Sequence, residues 1–208
     1  CETRKDWPRL VVVTSALSGV TNLLIESANR AARGDMSTFH QAVGELSDRH
    51  QPLIDSLITN PARKHQVQWE INHLISDFAN LCQAINVLGE ASPRALDAVS
   101  SLDERLSVRI LSAAVESNGV QAEYIESTHL IVTDDHFQNA LPDMEATTAR
   151  TRQALLPMIE SGRIPIVTGY IAATPSGATT TLGRGGSDYS ASILAVALQA
   201  SEGWIWTD

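Results

Sequence analysis

Apolar and polar positions follow two rhythms along this chain. Leu10-Val11-Val12-Val13 is a short run rich in β-branched residues, and it predicts a buried strand. Small and polar residues from Thr14 to Gly19 follow. Val20 to Ala32 then has helical spacing, with Gly34 as a stop. Strand, small-residue loop and helix together make half of a βαβ unit. From about 36 to 88 the pattern is mostly helical. Ile71, Leu74, Ile75, Phe78, Leu81, Cys82, Ile85 and Leu88 fall near one face. An earlier helix covers Phe39 to Leu57, and Asn60-Pro61 separates the two. Pro61 is expected in the connection or in the first turn, where its missing N–H costs nothing. The pair reads as a helical hairpin inserted between strands.

Ser92-Pro93 opens the next segment. A helix is predicted from about Leu102 to Ser117, stopped by Asn118-Gly119. Val120 to Ile125 fits a strand, and Leu130 to Thr133 a second short one. Met144 to Ile159 is helical in pattern, with Pro157 expected to end or kink it near Leu156. Ile164 to Thr168 is a buried strand, Ala172 to Gly177 a turn-rich loop, and Thr179 to Leu182 extended. Gly183 to Asp188 forms a glycine-rich loop before a helix from about Tyr189 to Gln199. Trp204-Ile205-Trp206-Thr207 reads as a last strand ending at Asp208. Continuous apolar strands alternating with helices imply an α/β fold. The expected form is a three-layer α/β/α sandwich around a mostly parallel sheet. Ligands in such sheets sit at the C-terminal strand edges. Thr14 to Asn22, Gly169 to Gly177, Gly183 to Asp188 and Thr207-Asp208 fall there.

Composition narrows the picture. A length of 208 residues suits one compact domain, or one and a fraction. The net charge of -9 argues against a nucleic-acid partner, which needs clustered Lys and Arg. It leaves room for an anionic small substrate, because a local arginine and a helix N-terminus outweigh the global sign. No apolar run approaches the roughly 20 residues that span a bilayer, and the start has no signal-peptide core. A cytoplasmic protein is expected, or a plastid protein whose targeting segment lies outside the sequence. Cys1 and Cys82 form no Cys-x-x-Cys pair, and Cys82 is expected as a buried thiol. The six histidines have no metal-type spacing and are expected at the surface or in caps. No metal site is predicted.

Four segments carry candidate chemistry. In Thr181-Leu182-Gly183-Arg184-Gly185-Gly186-Ser187-Asp188-Tyr189, two glycines permit a tight turn and Arg184 offers a planar fork to a carboxylate or phosphate. Ser187 and Asp188 are candidates to cap the following helix, and an ordinary capped turn would look the same. The order is neither that of a Walker A loop nor the dinucleotide fingerprint. Thr14-Ser15-Ala16-Leu17-Ser18-Gly19-Val20-Thr21-Asn22 gathers hydroxyls before a helix, either as ligand donors or as caps. Asp103-Glu104-Arg105 is by default a solvated helix face. Glu104 would matter if it faced a substrate ammonium with a charged partner. Asp208, at the end of a strand, could meet Mg²⁺ or a ribose hydroxyl, or simply begin a turn.

Taken together, Val12 to Asn22, Leu182 to Tyr189 and Trp206-Thr207-Asp208 resemble the aspartokinases of the amino-acid kinase superfamily. The likeness covers nearly the whole chain, including Ile164 to Tyr170, and its Arg-Gly-Gly-Ser-Asp segment is highly specific. It implies transfer of the ATP γ-phosphoryl group to the β-carboxylate of L-aspartate, with Mg²⁺, at the entry to lysine, threonine and methionine synthesis. It assigns Ser15, Thr21, Glu104, Arg184 and Ser187 to aspartate, with Arg184 on its carboxylate and Glu104 serving its amino group. Arg184 and Asp188 become the catalytic candidates, and Thr207 and Asp208 belong to the nucleotide side. A homodimer or higher oligomer is implied.

Two departures stand out. The family's opening Lys-Phe-Gly-Gly-Thr-Ser strand has no counterpart among residues 1–208, whose only lysines are Lys5 and Lys64. The resemblance places that lysine upstream of Cys1, and the rest of the nucleotide-binding half and the ACT regulatory domains beyond Asp208. Residues 1–208 are thus expected to be a partial kinase domain, inactive by themselves. Secondly, Asp103 stands where relatives often have glycine. A kinase for another small acid, or a non-catalytic regulatory or assembly segment, is the alternative.

Overall fold

The computed structural model describes residues 7–206. The chain divides into two compact units, Ala16–Gly119 and a discontinuous one made of Cys1–Ser15 with Val120–Asp208.

The continuous unit is all helix: α1 (Val20–Ala31), α2 (Ser37–Leu57), α3 (Pro61–Leu88) and α4 (Pro93–Ser117). Local chemistry sets their ends. Asn60 accepts from the Arg63 N–H at 3.0 Å with Pro61 in the first turn of α3. Ser92 accepts from Ala95 N–H at 3.2 Å ahead of Pro93. Gly89, at φ 72°, takes the left-handed conformation that ends α3. Phe78, Leu24, Leu46, Ile54, Ile71 and Leu106 are fully buried among the four helices. Each contributes about 1.5–3 kcal/mol by leaving water. Ion pairs brace the last two helices: Arg109 to Glu70 at 3.2 Å and Arg63 to Glu116 at 2.8 Å. The hairpin of α2 and α3 is therefore part of a four-helix unit with α1 and α4.

Two expectations fail in this unit. Helix α4 starts at Pro93 rather than near Leu102. Its first turns bury Asp97, Ser100 and Ser101 beside Val99, so polar residues interrupt the apolar repeat there. His50 is not a surface histidine but 1% exposed, its Nδ1 2.7 Å from the Leu46 carbonyl, and burial lowers its pKa.

The second unit holds a parallel sheet of β1 (Val12–Thr14), β2 (Ala122–Ile125) and β3 (Ile164–Thr168) in the order β1-β3-β2. Every residue of β3 is buried, as befits a central parallel strand. Helix α5 (Met144–Glu160) makes the crossover from β2 to β3, with Asp143 capping it through the N–H groups of Glu145 and Ala146. It runs through Pro157 to Glu160 instead of stopping near Leu156. A short antiparallel pair, β4 (Ile171–Ala173) and β5 (Thr179–Thr181), follows β3. The loop expected over Ala172 to Gly177 thus begins with a strand. Helix α6 (Gly186–Leu198) closes the unit. Leu130, Leu155, Val167, Leu182 and Ile193 form its core, with Val11 and Val13 against them.

The α/β class with a central parallel sheet and flanking helices is what the structure has. Leu130 to Thr133 forms only isolated bridges, Val132 to Ala173 and Thr133 to Pro142, rather than a strand. Trp204, Ile205 and Trp206 are not in a strand either, and they are 56%, 54% and 83% exposed. No described strand pairs with them, and Trp204 instead meets Trp7 edge-on at 6.0 Å.

Candidate functional site

The C-terminal edge of the parallel sheet gathers half of the candidate residues. The β1 strand ends at Thr14, whose carbonyl accepts from the Gly169 N–H at 2.8 Å just beyond β3. Ser15 is therefore the first residue past this edge, and it is exposed. Gly169 in turn touches the start of α6. A Cβ built on Gly169 would lie 2.7 Å from the Ser187 Cβ and Oγ and 2.9 Å from its Cα. The sequence needs glycine there because β3 and α6 meet backbone to side chain. Ser15 and Ser187 are thus brought to one edge through Gly169.

The glycine-rich loop is held tightly on its other side. Gly183 and Gly185 have φ 77° and 71°, and Gly185 is the residue preceding α6. Gly186 packs against Tyr170, whose Cδ2 would lie 2.6 Å from an added Cβ. Tyr170 itself has φ 59°, a strained value for a bulky residue, and its carbonyl accepts from the Leu182 N–H at 2.9 Å. Below them, the Ser127 hydroxyl bridges Thr168 at 2.8 Å and the Ile171 carbonyl at 2.6 Å, fixing the exit from β3. Gly169 and Tyr170 fall in the edge segment legible in the sequence, but their packing against Ser187 and Gly186 is tertiary and was not. The Thr-Gly-Tyr sequence after an apolar strand was the available signal.

Arg184 projects from this loop. It is exposed, and no hydrogen bond or ion pair ties its guanidinium to another described residue. Ser187 and Asp188 lie in the first turn of α6 rather than at its cap position, contrary to expectation. The cap position belongs to Gly185, because only a left-handed residue lets the chain turn into the helix there. A free guanidinium stands beside a helix N-terminus, where first-turn N–H groups lack intrahelical partners and the dipole favours negative charge.

The other candidates sit in the helical unit. Gly19, at φ 80°, precedes α1, so Ser18 does not cap it, and the Ser18 carbonyl accepts from Arg49 Nη1 at 3.0 Å. Thr21, in the first turn of α1, lies close to the Asp103 carboxyl of α4. Asp103 and Glu104 are 1% and 3% exposed, so the triplet Asp103-Glu104-Arg105 is not a solvated face. It lies in the body of α4, not at its start, because the helix begins earlier. Burial pushes the Asp103 carboxyl up to about 6, against the opposing pull of the Thr21 hydroxyl and the Glu104 N–H.

Thr207 and Asp208 lie outside the described residues. Among the described residues, no group of three or more His, Cys, Asp or Glu could hold a metal ion. No helix among them is long and apolar enough to cross a membrane.

Comparison with known proteins places this geometry. The model of the amino acid kinase family matches residues 2–208. The lysine-sensitive aspartokinase 3 of Escherichia coli is 32% identical over 198 residues, covering 95% of this chain and 42% of that protein. An aspartokinase of Chlamydia muridarum is 32% identical, covering 100% of this chain and 43% of its own length. The chain spans about two fifths of these relatives. Among solved structures, E. coli aspartokinase III in complex with aspartate and ADP superposes over 100% of this chain and 44% of its own, with a TM-score of 0.88 and 31% identity. On a match that runs through both units and both candidate clusters, the chain belongs to the amino acid kinase family and is aspartokinase-like.

Proposed function

We propose that the protein carrying this chain is an aspartate kinase. It moves the γ-phosphoryl group of ATP to the β-carboxylate of L-aspartate and releases 4-phospho-L-aspartate and ADP, the first step toward lysine, threonine and methionine. One carboxylate oxygen forms a bond to the γ-phosphorus, and the bond from that phosphorus to the β,γ-bridging oxygen breaks. Its electron pair leaves with ADP. No proton has to move, because the nucleophile is already ionised at neutral pH. The enzyme's task is alignment and neutralisation of two approaching anions.

The observation that carries the reading is Arg184, exposed and unpaired among described residues, in a glycine loop at the N-terminus of α6. A bidentate guanidinium suits a carboxylate acceptor. Ser15 and Ser187 supply hydroxyls at the same sheet edge, and Asp188 in the first turn of α6 helps order the local charge. Glu104 takes the amino group, and Thr21 binds the same acceptor. Thr207 and Asp208 serve the nucleotide. Mg²⁺ bound to the phosphates supplies charge neutralisation. The solved aspartokinase III binds aspartate and ADP, which supports the choice of acceptor. The protein is proposed to work as a homodimer or higher oligomer in the cytoplasm.

Residues 1–208 are proposed to be a partial kinase domain, the aspartate-binding part, without turnover by themselves. A coupled ADP-release assay with aspartate, ATP and Mg²⁺ tests both statements. The complete natural protein should turn over at roughly 1–100 per second, and the 208 residues should show none. Faster phosphorylation of glutamate or another small acid than of aspartate would reassign the substrate.

A further inference from the structure

We propose that Asp103 is a positioning residue for amino-group recognition: it holds the Thr21 hydroxyl in place beside Glu104 and adds a negative charge toward a substrate's ammonium group. The proposal rests on the reading of Thr21 and Glu104 as acceptor-binding residues.

The geometry comes from the helical unit alone. Asp103 is 1% exposed in the body of α4, and the Thr21 hydroxyl of α1 lies near enough to its carboxyl to draw its pKa down against the effect of burial. Its Oδ1 accepts from the Glu104 N–H at 2.6 Å. Its Oδ2 is buried and accepts no hydrogen bond from a described residue. A carboxyl oxygen left in this state costs stability. It is a group that an ammonium could satisfy. One carboxyl thus sits beside two residues proposed to bind the acceptor, near the Thr21 hydroxyl and bonded to the Glu104 N–H.

Several charged groups of the neighbouring helices are occupied elsewhere. Arg49 of α2 reaches Glu45 and the Ser18 carbonyl, and His50 bonds to the Leu46 carbonyl. Glu26 and Arg30 of α1 pair with each other, and Glu70 of α3 pairs with Arg109 of α4. On α4 itself, Asp97, Glu104 and Arg105 share the helix with Asp103. None of these charges is among the causes that set the Asp103 ionisation, which burial dominates and raises to about 6. Asp103 therefore gains its charge inside the pH range of an ordinary assay.

The test uses the complete natural enzyme. KM for aspartate and kcat are measured between about pH 5.5 and 8.5 for wild type, Asp103→Asn, Asp103→Ala, Thr21→Val and Thr21→Val/Asp103→Ala. Wild-type KM should rise as pH falls through the Asp103 titration. Asp103→Asn keeps an acceptor for Thr21 but carries no charge. Its KM should be about fivefold higher near pH 8, with that pH dependence flattened and kcat within about threefold of wild type. Asp103→Ala should be worse in KM. The double variant should be no worse than Asp103→Ala, because the two residues act as one unit. Thermal melts verify that each variant folds, and Asp103→Asn, nearly isosteric, remains testable if Asp103→Ala does not fold. Wild-type KM and pH profile in Asp103→Asn, or strictly additive effects in the double variant, would overturn the proposal. If Thr21→Val and Glu104→Gln raise KM while the Asp103 variants do not, the acceptor reading stands and Asp103 is merely structural. A wild-type enzyme that ignores aspartate sinks the acceptor reading and this proposal with it.

Discussion

Arg184 and Asp103 show how differently a single residue announces itself. Arg184 lies in a glycine-flanked segment that is legible as an anion loop from residue types alone. Replacing it with Lys keeps the charge and removes the fork, so kcat/KM for aspartate should fall about a hundredfold in steady-state assays. Asp103 was hidden because an acidic triplet on a helix is normally wet. What reversed that expectation is tertiary: α1 and α4 pack so that Thr21 meets Asp103, and no local pattern encodes this. Its stability consequence has a definite sign. The folded-state pKa lies at about 6, above the 3.8 of an ordinary aspartate. The protonated form therefore stabilises the fold below about pH 4, and that contribution is lost as pH rises through about 6. Asp103→Asn should raise the melting temperature at about pH 8, by an amount equivalent to roughly 2–3 kcal/mol. The advantage should vanish near pH 4, and a melt series across pH checks it. The buried Cys82 thiol, pushed up to about 12 by burial, should resist alkylation until the protein unfolds.

Elements were read well where their periodicity is apolar and poorly where it is not. The α3 stripe from Ile71 to Ile85 and the run of β3 were both clear because their buried faces are hydrophobic. The first turns of α4 were lost because they bury Asp97, Ser100 and Ser101, which look like loop residues. Pro157 and Pro52 lie inside helices α5 and α2, where tertiary packing overrides the local penalty. At the junction of β3 with α6, the glycines carry the geometry. Gly169→Ala would put a methyl 2.7 Å from the Ser187 side chain and 2.9 Å from its Cα, so either β3 or the start of α6 has to shift. We expect a loss of about 1–3 kcal/mol in denaturant titrations. A fall in kcat/KM should exceed what the stability loss explains, since the shift moves Ser187 and the Arg184 loop together. Gly177→Ala meets nothing within 4 Å but sits at φ 85°. It should cost only backbone strain, about 1 kcal/mol, with activity intact.

For the whole molecule, the α/β class was legible because strand and helix rhythms alternate. The partition into units was not, since nothing local says that residues 16–119 close on themselves while the flanking segments join each other. The acidic balance, 24 Asp and Glu against 15 Lys and Arg, leads to a solution prediction. Binding to duplex DNA should be undetectable by filter retention at about 150 mM salt, and a measurable affinity there would contradict the charge argument.

The pairing of Val12 with Ile166 also bears on how the chain is made. A ribosome releases β1 before α1, yet its hydrogen-bonding partner β3 emerges only after the entire helical unit has been synthesised. Helices α1 to α4 have mostly nearby partners and can organise early, while β1 waits as a bare apolar thread. Nascent chains arrested before residue 164 should therefore hold a helical body with β1 unprotected by β3. That strand is where a chaperone would bind, and where proteolysis of stalled chains should cut first.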